Sequence, residues 1–254
     1  MTTAERTSSD LIEALHRRAS VRRFTRKPVP VPVIDDLLAA AIRAPTSFNL
    51  QAYSMVVVTD PVRLGTLATL TGQPHVAGAP VVVVVCADLA RMWRLGGRFG
   101  EPVGPEHDDL TLTSVIDASL AGMCLALAAE SVGLGTVMLG AVRNRPDETA
   151  ELLALPVGTT ALFGVCLGWP AAPQPERPRL RPDLLGHPDR YDLERADASL
   201  DFDVSTLWKA RGSIRADEII DWRKQVVRGL KRARARSEKQ VPTIRAVAPE
   251  PRTP

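Results

Sequence analysis

The sequence predicts an α+β fold, a small mixed β-sheet flanked by helices with one long central helix buried among them. Two observations carry this. Val81 to Val85 is a run of five valines, long enough for a strand and apolar enough to be buried on both faces. Thr113 to Gly133 reads as a helix whose apolar positions (Val115, Ile116, Leu120, Ala121, Met123, Leu125, Leu127, Ala128) run nearly all round it. Such a helix must be enclosed by a core or by a second subunit.

The remaining elements follow in chain order. Asp10 to Glu13 opens a helix with an Asp-x-x-Glu capping pattern, and Leu11, Ile12 and Leu15 mark its apolar side. A second helix follows Pro32 and stops at Pro45. Ser54 to Thr59 reads as a strand, Pro61 to Leu70 as a short helix and Pro80 to Cys86 as the valine strand. Gly96 to Pro105, with four glycines and two prolines, predicts a mobile loop. Gly133 and Gly135 end the long helix. Thr136 to Ala141 and Leu162 to Leu167 are further strands, with a helix over Asp147 to Leu155 between them. From Pro170 to about Asp201 periodicity is lost, predicting an extended arm; Ala216 to Ala235 regains helical spacing. The expected organisation is a domain over 8–201, a C-terminal arm over 202–238 and a disordered tail over 239–254.

Composition narrows the function. With 254 residues, 45% hydrophobic and 24% charged, the chain has the balance of a soluble globular protein. Its three cysteines lie in apolar runs without a CxxC pair, as buried thiols of a reducing compartment do. The polar first ten residues do not resemble a signal peptide, and Asp117 and Glu130 interrupt the one long apolar helix. A cytoplasmic, non-membrane protein is expected. The net charge of +3 conceals a basic C-terminal segment: Lys209 to Lys239 holds eleven Lys/Arg against four Asp/Glu. Base stacking needs aromatic residues and Trp222 is the one available there, which disfavours nucleic acid as the partner.

Several chemistries are excluded. Gly133-Leu134-Gly135 with Gly140 imitates a dinucleotide fingerprint, but its last glycine is displaced and it runs from helix to strand, the reverse of what a pyrophosphate site requires. The four histidines are scattered without ligand spacing, so no metal is expected, and no Gly-x-Ser-x-Gly elbow occurs. What remains is a pair of arginine clusters, Arg18-Ala19-Ser20-Val21-Arg22-Arg23-Phe24 and Arg177-Pro178-Arg179-Leu180-Arg181. Guanidinium forks and a serine hydroxyl suit phosphate oxygens. Three polar segments accompany them: Pro45 to Gln51, Thr71 to Val76 and Met138 to Arg143. Together they suit a ligand with a phosphate at one end and a planar hydrogen-bonding ring at the other.

On these residues the chain resembles the nitroreductase and flavin reductase family, and within it the NADPH-dependent branch of larger nitroreductases and NADPH-FMN oxidoreductases. Arg18 to Phe24 is similar to the N-terminal phosphate motif, Pro45 to Gln51 to the Ser/Thr-rich turn, and Gly72 to Val76 to the ring-contacting segment. Ala129 to Gly135 and Leu162 to Pro170, followed by Arg177 to Leu180, are similar to the branch signatures. The resemblance covers about residues 8 to 215 and implies an intertwined homodimer with FMN at its interface. It implies that Arg18, Ala19, Ser20, Arg22, Arg177 and Arg179 hold the phosphate. Thr46 and Ser47 would contact the ribityl chain or ring, Gln73 the isoalloxazine, and Met138, Leu139, Gly140 and Ala141 its N5 side. Phe48, Asn49 and His75 would line the acceptor pocket, with Arg143 or Arg22 stabilising negative charge on the reduced ring. Ala19 replaces the branch's usual arginine, and Phe48 a small hydroxyl residue.

The implied activity is hydride transfer from NADPH through FMN to nitroaromatics, quinones or free flavin, with no catalytic acid or nucleophile of the protein's own. Arg211, and more weakly Arg215, would grip the NADPH 2′-phosphate. A dedicated biosynthetic or dehalogenating substrate is the alternative on the same fold, and binding of nucleic acid or an acidic partner by the basic segment is a minor one.

Overall fold

In a computed structural model, the structure describes residues 9–101, 108–177, 179–200, 224 and 226–231. The described residues through Gln174 form one compact unit and those from Pro175 onward a second.

The first unit is built on four strands, β1 (Tyr53–Val58), β2 (Val81–Asp88), β3 (Gly135–Leu139) and β4 (Thr159–Gly168), in the order β1-β2-β4-β3. Every neighbouring pair is antiparallel, and the parallel component is a single bridge between Ser20 and Thr136. The helices are α1 (Asp10–Arg17), α2 (Val31–Ala41), α3 (Pro61–Thr71), α4 (Ala90–Arg98), α5 (Asp108–Ser131) and α6 (Pro146–Leu152). Ser9 caps α1 and Asp60 caps α3, while Pro61 supplies the first-turn proline that α3 tolerates without losing a bond.

The valine strand divides two cores. Val81, Val83 and Val85 face α2 and α5, packing with Ile34, Leu37, Ala121 and Leu125, and Val82, Val84 and Cys86 face α3, packing with Leu64 and Leu67. Period-two geometry sends alternate valines to opposite faces, and both faces are covered, so a uniformly apolar strand is what the position requires. The Cys86 and Cys166 thiols are both pushed up to about 12, by burial before any neighbouring charge, and stay protonated.

Helix α5 is long and apolar enough to cross a membrane by length and composition alone. Here Ala118, Ala121, Leu125 and Ala129 form the core instead, with Asp117 buried beside them. Leu112, Ile116 and Leu120 lie on its exposed side.

Two expectations are corrected. Asp10 was read as opening the capping pattern of the first helix, but the Ser9 hydroxyl accepts from the Ile12 N–H at 3.3 Å and Asp10 is already helical. The segment from Gly96 was predicted to be loop, but Gly96, Gly97 and Arg98 complete α4, because amphipathic spacing upstream outweighs the helix cost of about 1 kcal/mol per glycine. Residues 102–107 of that segment lie outside the described residues.

In the second unit the arm contains a helix α7 (Leu193–Ala198), capped by Asp192, and a 3₁₀ turn, Pro182–Leu184. Lys224 and residues 226–231 are helical, inside the predicted C-terminal helix.

Candidate functional site

The arginine segment is placed by the sheet. After α1 the chain turns extended at Arg18. The Val21 N–H then donates to the Thr136 carbonyl at 2.8 Å and the Thr25 N–H to the Trp169 carbonyl at 2.8 Å, while the Ala171 N–H donates to Arg23. The segment therefore lies across the ends of β3 and β4, with Val21 buried and Arg22 and Arg23 exposed. Gly135 allows the approach: a Cβ there would stand 2.6 Å from the Val21 side chain.

Two of the three arginines of this segment, Arg18 and Arg22, differ in their surroundings. Arg18 Nε is 3.6 Å from a Glu130 carboxylate oxygen, with the two side chains 17% and 16% exposed, and the Thr136 hydroxyl donates to the same oxygen. Arg18 is thus anchored to α5 by a partly desolvated charge pair, although its Nε, buried, makes no hydrogen bond. Beside it opens a cleft of about 250 Å³ whose lining includes Ala14, Arg17, Ala19, Gly135 and Gln174. Arg22 acts elsewhere, on His75: burial chiefly, and then the Arg22 charge, lower the imidazole below its ordinary value and favour the neutral ring. His75 Nε2 is buried and has no hydrogen-bond partner.

His75 belongs to a 3₁₀ turn, Pro74–Val76, entered through half-buried Gln73. A second 3₁₀ turn, Gly140–Asn144, follows β3, and its Asn144 side chain donates to the Thr71 carbonyl at 3.4 Å. The Gly140 turn is thereby tied to the end of α3, from which the Gln73–His75 segment departs, and the Arg22 charge reaches His75. Met138, Gly140 and Ala141 are half-buried there and Leu139 is buried. Arg143 donates to the Leu162 carbonyl at 2.7 Å, which fixes its guanidinium against β4.

Thr46, Ser47, Phe48 and Asn49 lie on the connection from α2 to β1. Ser47–Asn49 is a single 3₁₀ turn in which Phe48 is 97% exposed. Its underside is Asp117, 1% exposed, whose two carboxylate oxygens accept from the Ser47 and Ala52 N–H groups. The neighbouring Tyr53 phenol is raised above its ordinary value, mainly by burial and next by the Asp117 charge.

Arg177 and Arg179 are exposed residues of the second unit. Arg211, Arg215 and Trp222 lie outside the described residues. Among the described residues, no group of three His, Cys, Asp or Glu side chains is placed to hold a metal ion.

Sequence reasoning missed the roles of Asp117 and Glu130. Both were visible as acids inside an otherwise apolar helix, and a buried carboxylate there requires donors from elsewhere in the chain. Which donors is information only the fold supplies.

Comparison with known proteins establishes the family. The family model described as Nitroreductase family matches residues 15–169. The FMN reductase (NADPH) of Bacillus subtilis is 32% identical over 231 residues, covering 88% of this chain and 92% of that protein. The oxygen-insensitive NADPH nitroreductase of Salmonella typhimurium is 36% identical over 210 residues, covering 81% and 85%. Among solved structures, the nitroreductase NfrA1 of B. subtilis superposes with a TM-score of 0.82 at 31% identity, covering 91% of this chain and 95% of that one. The NADPH:FMN oxidoreductase of Vibrio harveyi complexed with NAD⁺ gives 0.75 at 30% identity, covering 88% and 92%. With the arginine segment, the polar turns and the antiparallel sheet in place, the chain belongs to the Nitroreductase family.

Proposed function

We propose that the protein is an FMN-dependent oxidoreductase that takes electrons from NADPH and delivers them to nitroaromatic, quinone or free flavin acceptors. The observation that carries this is the Gly140 turn bonded to the end of α3 beside the Gln73–His75 segment, where His75 keeps a buried, unpartnered Nε2. The relatives named as NADPH-dependent FMN reductase and nitroreductase support the same reading.

The residues present fit FMN. His75 Nε2 is a buried nitrogen without a hydrogen-bond partner, as expected where a ligand supplies one. FMN when bound supplies the redox chemistry, accepting a hydride and passing its electrons on. The chain's own residues bind and orient. Ser20 and Arg22 hold the phosphate, with Arg18 and the Ala19 backbone beside them. Thr46, Ser47 and Gln73 orient the ring, and the backbone of Met138, Leu139, Gly140 and Ala141 lines its reactive edge. Arg143, fixed by Leu162, contributes positive charge that favours the reduced state. His75, held neutral, can offer or accept one hydrogen bond without adding charge.

The working form is a homodimer. Leu112, Ile116 and Leu120 recur at helical spacing on the exposed side of α5, continued by half-buried Met123 and Leu127, and this stripe suits a second copy. A reducing cytoplasm suits its three free thiols.

Anaerobic addition of NADPH to the FMN-loaded protein tests the activity. Bleaching of the flavin absorbance, reversed by a nitroaromatic or quinone, is expected. A flavin that NADPH leaves oxidised refutes the assignment.

A further inference from the structure

The connection from Thr46 to Ala52 holds three non-glycine residues in the left-handed region: Phe48 at φ 48°, Asn49 at φ 56° and Gln51 at φ 52°. For a bulky side chain such as Phe48 this conformation is costly, and it persists only where the surroundings over-determine it. Glycine at 48 and 49 would join α2 to β1 with no such cost, so the chain requirement alone does not explain these residues.

Two side chains enforce the geometry. Asp117 Oδ1 accepts from the Ser47 N–H at 3.1 Å and Oδ2 from the Ala52 N–H at 3.4 Å, tying both ends of the turn to one buried carboxylate. Arg91 of α4 donates to the Gln51 carbonyl at 3.3 Å and the Tyr53 carbonyl at 2.6 Å. The amides are thus drawn toward α5 and the carbonyls toward α4, while Phe48 stays in solvent.

We propose that Asp117 is a positioning residue of the flavin site: through the Ser47 and Ala52 amides it sets the turn that presents Thr46 and Ser47 to the cofactor and Phe48 to the acceptor, touching neither ligand itself. This rests on the reading of that turn as flavin-contacting. A carboxylate is specifically required, because two N–H donors need two acceptor oxygens. Asparagine keeps the size but turns an NH₂ toward one of the donors.

The test uses the full-length protein and Asp117→Asn, with hydrogen exchange of the peptide spanning residues 46–53 measured beside FMN titration and kinetics. Faster exchange in that peptide is expected, with FMN affinity weakened by roughly tenfold, the order of one charge-assisted hydrogen bond. With FMN then saturating, KM for a nitroaromatic should rise while kcat stays within about twofold, the pattern of lost binding geometry rather than lost chemistry. Ser47→Pro, compared with Ser47→Ala, removes the turn's N–H without altering Asp117; proline is suited to the first position of a helical turn. Ser47→Pro should therefore reproduce the effect, and it decides the matter should Asp117→Asn fail to fold. Faster exchange with unchanged FMN affinity and unchanged KM overturns the proposal and leaves the flavin reading standing. A wild type that binds no FMN overturns the flavin reading itself.

Discussion

Arg18 and Arg22 occupy one phosphate-like motif, yet the structure gives them different first obligations, and substitution separates the two. In Arg18→Ala, Glu130 loses the guanidinium 3.6 Å away while remaining only 16% exposed. Exposed ion pairs contribute about 0–1 kcal/mol, and breaking a fully buried one costs about 3–5. A pair this far desolvated but outside hydrogen-bond geometry falls between, at about 2 kcal/mol. At about 2–4 °C per kcal/mol for a chain of this size, the FMN-free protein should melt roughly 4–8 °C lower. Thermal melts of FMN-free Arg18→Ala, Glu130→Gln and the double variant measure this, and the double-mutant cycle isolates the pair from packing losses. Arg22→Ala should show its main effect in FMN titration, a loss of about 1.5–3 kcal/mol for one charge-assisted phosphate contact. The reasoning is refuted if Arg18→Ala leaves the FMN-free melt unchanged, or if the two single variants add without coupling.

His75 sets a pH dependence. Its folded value lies below the unfolded 6.5, so the unfolded chain binds more protons between the two values. Its contribution is fully present above pH 6.5 and is lost as pH falls through the folded value; His75→Gln should flatten that slope in denaturation midpoints taken below pH 6.5. Leu120→Asp on the exposed side of α5 should shift sedimentation from dimer to monomer, and an unchanged dimer would remove this helix from the interface. Arg179→Ala, chosen on the sequence pattern alone, should weaken FMN binding, again by about 1.5–3 kcal/mol in titration. Arg211→Ala should raise KM for NADPH far more than for NADH if its guanidinium pairs with the 2′-phosphate that NADH lacks. Equal effects on both nucleotides would sink that assignment.

The elements were legible because each rests on local physics. Five valines cannot stand on a solvated sheet face, and Pro61 and Gly72 punctuate α3 at the two positions that proline and glycine prefer. The arginine segment was legible for the same reason, as a dense cluster of one residue type at the end of a helical pattern. Long-range polar pairing was not legible. Nothing near Arg18 in the sequence announces Glu130, and nothing near Ser47 announces Asp117, 70 residues away. Such partners are fixed by which face of α5 turns toward which loop. The three left-handed residues around Phe48 were equally hidden, because no glycine marks them. At Gly96 and Gly97 the opposite error arose: the glycines suggested a loop where helical spacing upstream carried the chain through.

The most direct test of the central claim is the identity of the flavin that the purified protein carries. Heat-released cofactor should be FMN, bound near one per chain, and the stripped protein should recover it from solution. FAD in its place, or a colourless protein that fails to take up added FMN, would contradict the account.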